Sequence, residues 1–453
     1  MTRLVGILLA FLMGTESAQA SLPPLWDAAI PSRDAIAPPT AEGEPTRLSD
    51  ADLHWPEFAP NHLRIAMQDR QGRVPPDFKV PPGLESKVRF WLEIYTLYSS
   101  ETLVLYDDRH PEVVYEVMDF RELASQARSS AAYEILRERA IERRLKIYQD
   151  AFARLQRNPR PSSPSREMKN IIKAMHQLPH RHTLRELADG LRGQTGQRDQ
   201  VLLGLRRFDR QAPFIERLFK GNGVPPELSR LALVESSFNP EAVSRAGARG
   251  AWQFMLASAK EFLVVDADAG IDERLSSLKT SVAAAKLLAR NQRLLKSWPL
   301  TVTSYNSGVA QLLKIPLSDR SFGRVGRALT SCRNPHHLGY AGHSYYAEFL
   351  AMLYAEKYRD LFFPGSAPGP EIVNAAPPGF LRLAQGGTAA EVSRRLGITL
   401  QDFLALNPDV LSVRSRIPRG FRAAVPAEQG DFSVLMMKKP VQTVSSREIP
   451  PTG

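Results

Sequence analysis

From Gln194 to about Phe363 the chain is helical in pattern almost throughout, and prolines close that stretch off on both sides. Pro159, Pro161 and Pro164 stand before it; Pro364, Pro368, Pro370, Pro377 and Pro378 stand after it. Proline has no N–H to give and holds φ fixed, so a regular helix does not run through such clusters. The expectation is a mainly α fold in which a large helical domain at 194–363 is flanked by smaller modules. Cys332 is the only cysteine, which excludes an internal disulfide and a cysteine metal cluster, so packing alone must hold the fold. It has no recognisable base partner and reads as a bystander. Apolar residues make up 43% of the chain, enough for real cores.

The N-terminus reads as a secretory signal over residues 1–20: Arg3, the apolar run Leu4 to Met13, then Ala18-Gln19-Ala20 ahead of a cut before Ser21. The apolar run falls well short of the roughly 20 residues a membrane span needs. Export makes nucleic acid an unsuitable partner for the net charge of +11 and leaves the cell envelope, as wall polymer or peripheral membrane surface. Residues 21–82, punctuated by Pro-Pro pairs, read as a tether. Residues 83–160 read as an accessory helix/β-hairpin region: a helix over 83–100, strands Thr102–Tyr106 and Val113–Met118, and one charged helix from Arg121 to Gln156. Met168–Leu178 and His182–Arg192 read as short helices. Residues 379–426 form a small C-terminal module, and 427–453 a flexible tail. His180, His182 and the adjacent pair His336-His337 make no metal site, and no cofactor motif is present.

One acid stands out. In the stretch Pro225 to Pro240, Leu228, Leu231 and Ala232 mark an apolar helix face, and Glu235, seven residues after Leu228, falls on it. A core-facing acid must be paired or keep its proton. Desolvation raises a carboxyl pKa, which is the state a general acid needs; an ion pair with Arg245 or Arg249 is the structural alternative. Two further segments are chemically suggestive: Gly247-Ala248-Arg249-Gly250-Ala251-Trp252-Gln253-Phe254-Met255-Leu256, with two glycines, an amide and apolar faces, and Ser304-Tyr305-Asn306-Ser307-Gly308. Read alone, each is equally a helix junction with core aromatics or a buried, satisfied tyrosine.

In this order, with Glu235-Ser236-Ser237-Phe238 first, the three segments resemble the catalytic domain of the Slt-type lytic transglycosylases, whose pattern is roughly ESxF, GAxGLMQ or GAxGLWQFMP, and AYNAG. The WQFM form and the C-terminal module resemble the branch of membrane-bound lytic transglycosylase D. Ala251, Leu256, Ser304 and Ser307 depart from that pattern, which bears on groove shape and glycan preference. The family's late tyrosine corresponds to Tyr345 or Tyr346. Residues 379–426 resemble a divergent LysM-type βααβ module, with Gly386-Gly387-Thr388 where Gly-Asp-Thr is usual.

The resemblance implies a lysozyme-like helical domain that cleaves peptidoglycan glycan strands with one carboxyl group. Glu235 acts as acid and then as base; Ser236, Gln253, Tyr305, Asn306 and the late tyrosine position sugar; no metal or cofactor takes part. Two other readings stand beside it. One is a lysozyme-like hydrolase with a second acid, for which Glu241, Asp266 and Asp268 are the nearby carboxylates. The other is a non-catalytic peptidoglycan-binding scaffold.

Overall fold

The structure, a computed structural model, describes residues 60–178, 183–330, 340–373 and 376–437. The expected signal segment, Cys332, His180, His182 and His336-His337 lie outside the described residues. The fold is mainly helical, as expected.

Residues 60–82 correct the expected tether. Helix α1 (Pro60–Gln68) and a 3-10 turn (Pro76–Phe78) precede α2 (Glu85–Thr96), and Leu63, Ala66, Val74 and Phe78 are buried in the main core. The turn is pinned by Asp69, whose carboxylate accepts the N–H groups of Arg73 (2.8 Å) and Val74 (3.2 Å) and the hydroxyl of Tyr358 (2.5 Å). Here the prolines shape turns of a packed segment, and the irregular backbone hides its apolar residues from any test of periodicity.

The hairpin forms as β1 (Thr102–Asp107) and β2 (Val114–Asp119), and β1 also pairs antiparallel with a third strand, β3 (Leu191–Thr195), giving the order β2-β1-β3. The strand period of two divides β1 between two cores. Leu103 and Leu105 pack with Tyr148 and Phe152 in an accessory core; Val104 and Tyr106 join the main core, where Tyr106 stacks on Phe90 at 4.2 Å. Helix α2 therefore belongs to the main core and not to the accessory region.

The single charged helix expected from Arg121 is two, α3 (Arg121–Gln126) and α4 (Ser130–Arg157), because Ala127 turns extended and Ser129 caps a new start by accepting the N–H of Ala132. Helix α5 (Arg166–Gln177) matches its expectation closely. Helix α6 (Leu184–Gly190) stops where a longer one was expected. A Cβ on Gly190 would sit 2.4 Å from the carboxylate of Asp107, so glycine lets the chain close onto β1 and begin β3.

The main helical domain continues with α7 (Arg198–Asp209), α8 (Ala212–Gly221), a 3-10 turn (Pro226–Arg230), α9 (Leu231–Ser236) and α10 (Leu256–Phe262). A short hairpin of β4 (Val265–Asp266) and β5 (Ile271–Asp272) leads into α11 (Ser277–Leu295), α12 (Trp298–Ser307), α13 (Val309–Leu313), α14 (Phe322–Thr330) and α15 (Tyr340–Lys357). Helix α15 packs against α2, α9 and α12 and is buried over most of its described length, so its side chains reach the site from inside the domain.

After α16 (Arg359–Phe362) and α17 (Pro370–Val373) comes the C-terminal module: β6 (Gly379–Arg382), β7 (Gly387–Thr388), α18 (Ala389–Leu396), α19 (Leu400–Leu406), β8 (Arg416–Ile417) and β9 (Arg422–Val425). Strand β6 pairs with β9 and β7 with β8. Thr388 caps α18 in a reciprocal box with Glu391, and Gly397, at φ 70°, ends it. Residues 427–437 correct the expected loose tail: Val434 and Leu435 are buried in the main core, and Phe432 packs on Phe214 at 5.9 Å.

Phe78 is 1% exposed and meets Phe349 of α15 edge-on at 5.6 Å. Phe78→Ala should cost about 3–5 kcal/mol in denaturant unfolding, whereas a residue of a loose tether would leave the midpoint unmoved.

Candidate active site

Glu235 is the penultimate residue of α9. The sequence reading placed it on one face of a continuous helix with Leu228. In the structure Leu228 lies in the 3-10 turn and only Leu231–Ser236 is α-helical, so that phase is broken. The inward setting arises differently: Leu231, Ala232, Leu233 and Val234 are all buried, so α9 is sheathed on every side. Its entry is anchored by Arg230, 5% exposed, which pairs with Glu216 and with Glu356 of α15 (3.1 Å).

Among the described residues no cation is paired with Glu235; Arg249, one suggested partner, pairs instead with Asp272. The carboxyl accepts a hydrogen bond from the Tyr345 hydroxyl. The residue is half-buried, and desolvation of its carboxyl pushes the pKa up to about 7 against the opposing pull of that hydrogen bond. The charge on Glu235 in turn raises the pKa values of Tyr95, Tyr305 and Tyr345, secondary in each case to their own burial.

Of the two adjacent tyrosines, it is Tyr345 that meets Glu235. Tyr346, its neighbour, is 1% exposed, stacks on Phe349 at 6.1 Å and belongs to the core. Ser236, Gln253 and Tyr305 converge on one feature, the backbone of the glycine-bearing loop. Ser236 Oγ donates to Ala251 O (2.9 Å) and accepts the N–H of Asn239 (3.0 Å). Gln253 Nε2 donates to Gly250 O (2.8 Å) and Ala242 O (3.1 Å), and Tyr305 Oη donates to Trp252 O (2.8 Å). Their donors are spent on holding the loop. Asn306 differs: its Oδ1 is buried and has no hydrogen-bond partner among the described residues. Trp252 and Phe254, read as possible apolar faces, are core aromatics; the Trp252 indole donates to Ser281 Oγ (2.8 Å) and its ring stacks on Phe219.

The backbone around the acid is strained. Ser237 (φ 51°), Phe238 (φ 52°) and Gln253 (φ 46°) all lie in the left-handed region, unfavourable for side-chain-bearing residues and above all for phenylalanine. Such residues persist where surrounding packing over-determines them. Gly204 supplies part of it: a Cβ there would approach Ser237 O to 2.8 Å, so only glycine lets α7 back the turn after Glu235.

Sequence reasoning missed Glu348. It follows Tyr345 by three residues on α15, is 1% exposed, and neither carboxyl oxygen has a hydrogen-bond partner among the described residues. Burial, then the charge on Glu235, raises its pKa well above the carboxylate range, with Lys87 opposing. The available signal was an isolated acid in the otherwise apolar run Tyr345 to Ala355.

The shift of Glu235 has a stability consequence. Its folded pKa, about 7, lies above the ordinary 4.5, so protonation favours the fold; the stabilisation is present below about pH 4.5 and is lost as pH rises through about 7. That difference corresponds to at most about 3 kcal/mol, less what solvent screening removes at a half-buried residue. Glu235→Gln, neutral at every pH, should therefore gain stability over the parent chain between pH 4.5 and 8 in urea melts; a gap independent of pH would mean that the folded acid has an ordinary proton affinity.

A family model described as the transglycosylase SLT domain matches residues 212–323, which run from α8 through Glu235, the glycine loop and Tyr305 into α14. The membrane-bound lytic murein transglycosylase D of Escherichia coli K12 is 30% identical over 106 residues, 23% of this chain and 23% of that protein. The protein of the same name from Escherichia coli O6:H1 aligns with the same figures. The alignment thus spans under a quarter of either relative. Residues 212–323, which carry the half-buried acid and the loop braced beside it, are thus similar to the transglycosylase SLT domain.

Proposed function

We propose that the protein is a peptidoglycan lytic transglycosylase, cleaving the β-1,4 bond between N-acetylmuramic acid and N-acetylglucosamine and leaving 1,6-anhydromuramoyl ends. The observation that carries this reading is the proton affinity of Glu235: near pH 7 the group is available in both of its forms. Protonated, it donates to the glycosidic oxygen. Ionised, it takes the proton from the muramic C6 hydroxyl, whose oxygen attacks C1 of the same sugar. The nucleophile belongs to the substrate, so its high effective molarity lowers the barrier without an activated water.

Tyr345 orients the carboxyl and stabilises its ionised form by hydrogen bonding, which suits the second half of the cycle. Asn306, with its unsatisfied buried oxygen, is the best candidate to receive a sugar amide or hydroxyl. Ser236, Gln253 and Tyr305 act on the glycan through the loop they hold, with direct sugar contact confined to whatever acceptor capacity they retain.

A hydrolase of the usual type uses two carboxyl groups, one of them activating water. The candidates from the sequence give that reading little support: Glu241 and Asp268 are exposed, Asp266 accepts the N–H of Ala269 (2.9 Å), and none contributes to the shift of Glu235. Glu348 is shut off from solvent water on both oxygens. On the same proposal the protein works in the cell envelope after export; among the described residues no helix is long and apolar enough to cross a membrane. The βααβ module at 379–426 supports a LysM-like glycan contact in addition to the cleaving site.

Mass spectrometry of digested sacculi tests the reaction: anhydro ends are expected, and reducing ends would mean hydrolysis. Glu235→Gln should abolish muropeptide release with the fold intact, and appreciable residual turnover would remove Glu235 from the role. Tyr345→Phe removes a bond that favours the ionised acid, so the alkaline limb of kcat/KM should move to higher pH while kcat falls. Tyr346→Phe should leave the limb where it is; equal profiles for both variants would disconnect Tyr345 from the acid.

A further inference from the structure

The face on which the C-terminal module meets the helical domain is charged and dry. Lys279 of α11, 1% exposed, bonds Asp409 of the module at 2.5 Å and Glu273 at 3.2 Å, with the ring of Phe421 3.7 Å from its ammonium. Arg422 of β9, 2% exposed, donates to Glu273 Oε2 (3.0 Å) and Leu435 O (3.1 Å). Two cations and two carboxylates thus neutralise one another across the junction. Buried charges left without such partners are strongly destabilising, so the set forms only with the module seated.

Apolar packing crosses the junction in both directions. Val264 and Ile271 of the helical domain complete the module's core, while Phe380 and Ala424 of the module enter the main core. Backbone groups join as well: the N–H of Asp272 donates to Asp409 O (2.9 Å), that of Leu411 to Gly270 O (3.0 Å) and that of Arg416 to Ala269 O (2.7 Å). Gly270, at φ 68°, permits this approach, since a Cβ there would lie 2.5 Å from Ser415 Oγ.

The same hairpin holds the catalytic loop. Asp272, whose backbone binds the module, uses its carboxylate to grip Arg274 (2.9 and 2.8 Å) and Arg249 (3.4 Å). Arg274 Nη1 donates to Gly247 O (3.1 Å), and the Arg274 carbonyl lies so close to Gly250 that a Cβ there would stand 1.8 Å from it. Gly250 O in turn accepts the side chain of Gln253. One residue therefore faces the module with its backbone and the loop beside Glu235 with its side chain.

We infer that residues 379–426 are a fixed part of the catalytic unit and not a freely tethered wall-binding appendage, and that Asp409 is a positioning residue for the glycine loop through Asp272 and the Lys279–Glu273 pair. The docking stands on its own; the effect on turnover rests on the lytic transglycosylase reading.

A protease site inserted in the full chain between Phe363 and Gly379 tests the docking. After cleavage the two pieces should co-elute as one species at physiological salt and digest sacculi at the uncut rate. Pieces that separate would overturn the docking. In the uncut chain, well below its melting temperature, Asp409→Asn should lower kcat about tenfold at unchanged KM, as expected for a slightly misplaced site, and Asp409→Glu should recover part of the loss. An unchanged kcat in Asp409→Asn would overturn the positioning role. If the parent chain releases no muropeptides, the activity reading fails while co-elution still reports the docking.

Discussion

A carboxyl group held partly out of water with a phenol as its hydrogen-bond partner, and no cation paired with it among the described residues, is the arrangement the rest of this structure serves. Two opposing effects set its proton affinity. Desolvation favours the acid, the Tyr345 hydrogen bond favours the carboxylate, and the first outweighs the second. Had Arg249 paired with Glu235, the group would have stayed ionised through the neutral range and could not have donated a proton. Arg249 is instead paired with Asp272.

The polar residues around Glu235 divide between holding and receiving. Ser236, Gln253 and Tyr305 come from separate stretches of the chain, yet each spends a donor on a carbonyl between Ala242 and Trp252. The loop needs this because Gln253, a side-chain-bearing residue, sits at positive φ, whereas Gly247 and Gly250 reach positive φ without that cost. The departures from the family pattern fit the same division. Ala251 is fully buried, and the hydroxyl of Ser304 binds Thr301 O and Asn291. Leu256 remains well exposed, and Ser307 keeps a buried hydroxyl with no hydrogen-bond partner among the described residues. On the proposed function, differences in glycan preference would be sought at Leu256 and Ser307, since Ala251 and Ser304 are absorbed into packing.

What the sequence disclosed depended on whether a signal was local. The helical domain, the hairpin strands and the acid on an apolar stretch all announce themselves within a few neighbouring residues, whereas the cap at Ser129 that splits the charged helix was read through. Tyr345 could not be told from Tyr346, because adjacent helix positions point about 100° apart and only the packing of α15 decides which meets the acid. Glu348 was passed over because an acid in an apolar helix has no chemistry until a neighbour from another segment is known. Residues 60–82 and 427–437 were misread for a common reason: irregular backbone, proline-rich in the first and short 3-10 turns in the second, carries no sustained period, although Phe78 and Leu435 are deeply buried.

Those two misread segments also explain how the strain at the site is supported. Left-handed conformations at Ser237, Phe238 and Gln253 each cost on the order of 1–3 kcal/mol, a large fraction of a domain's net stability. The short helix α9 could not impose them alone. The supporting surface comes from far along the chain in both directions: α1 and the turn at Pro76–Phe78 pack with α15, which itself packs on α9, and Val434 and Leu435 join the same core while Phe432 packs on Phe214 of α8. With the C-terminal module seated on the hairpin that grips the glycine loop, the minimal unit able to hold this acid in place is larger than residues 212–323. The SLT family model matches residues 212–323, while the packing that supports the strained backbone around Glu235 is drawn from both sides of that stretch.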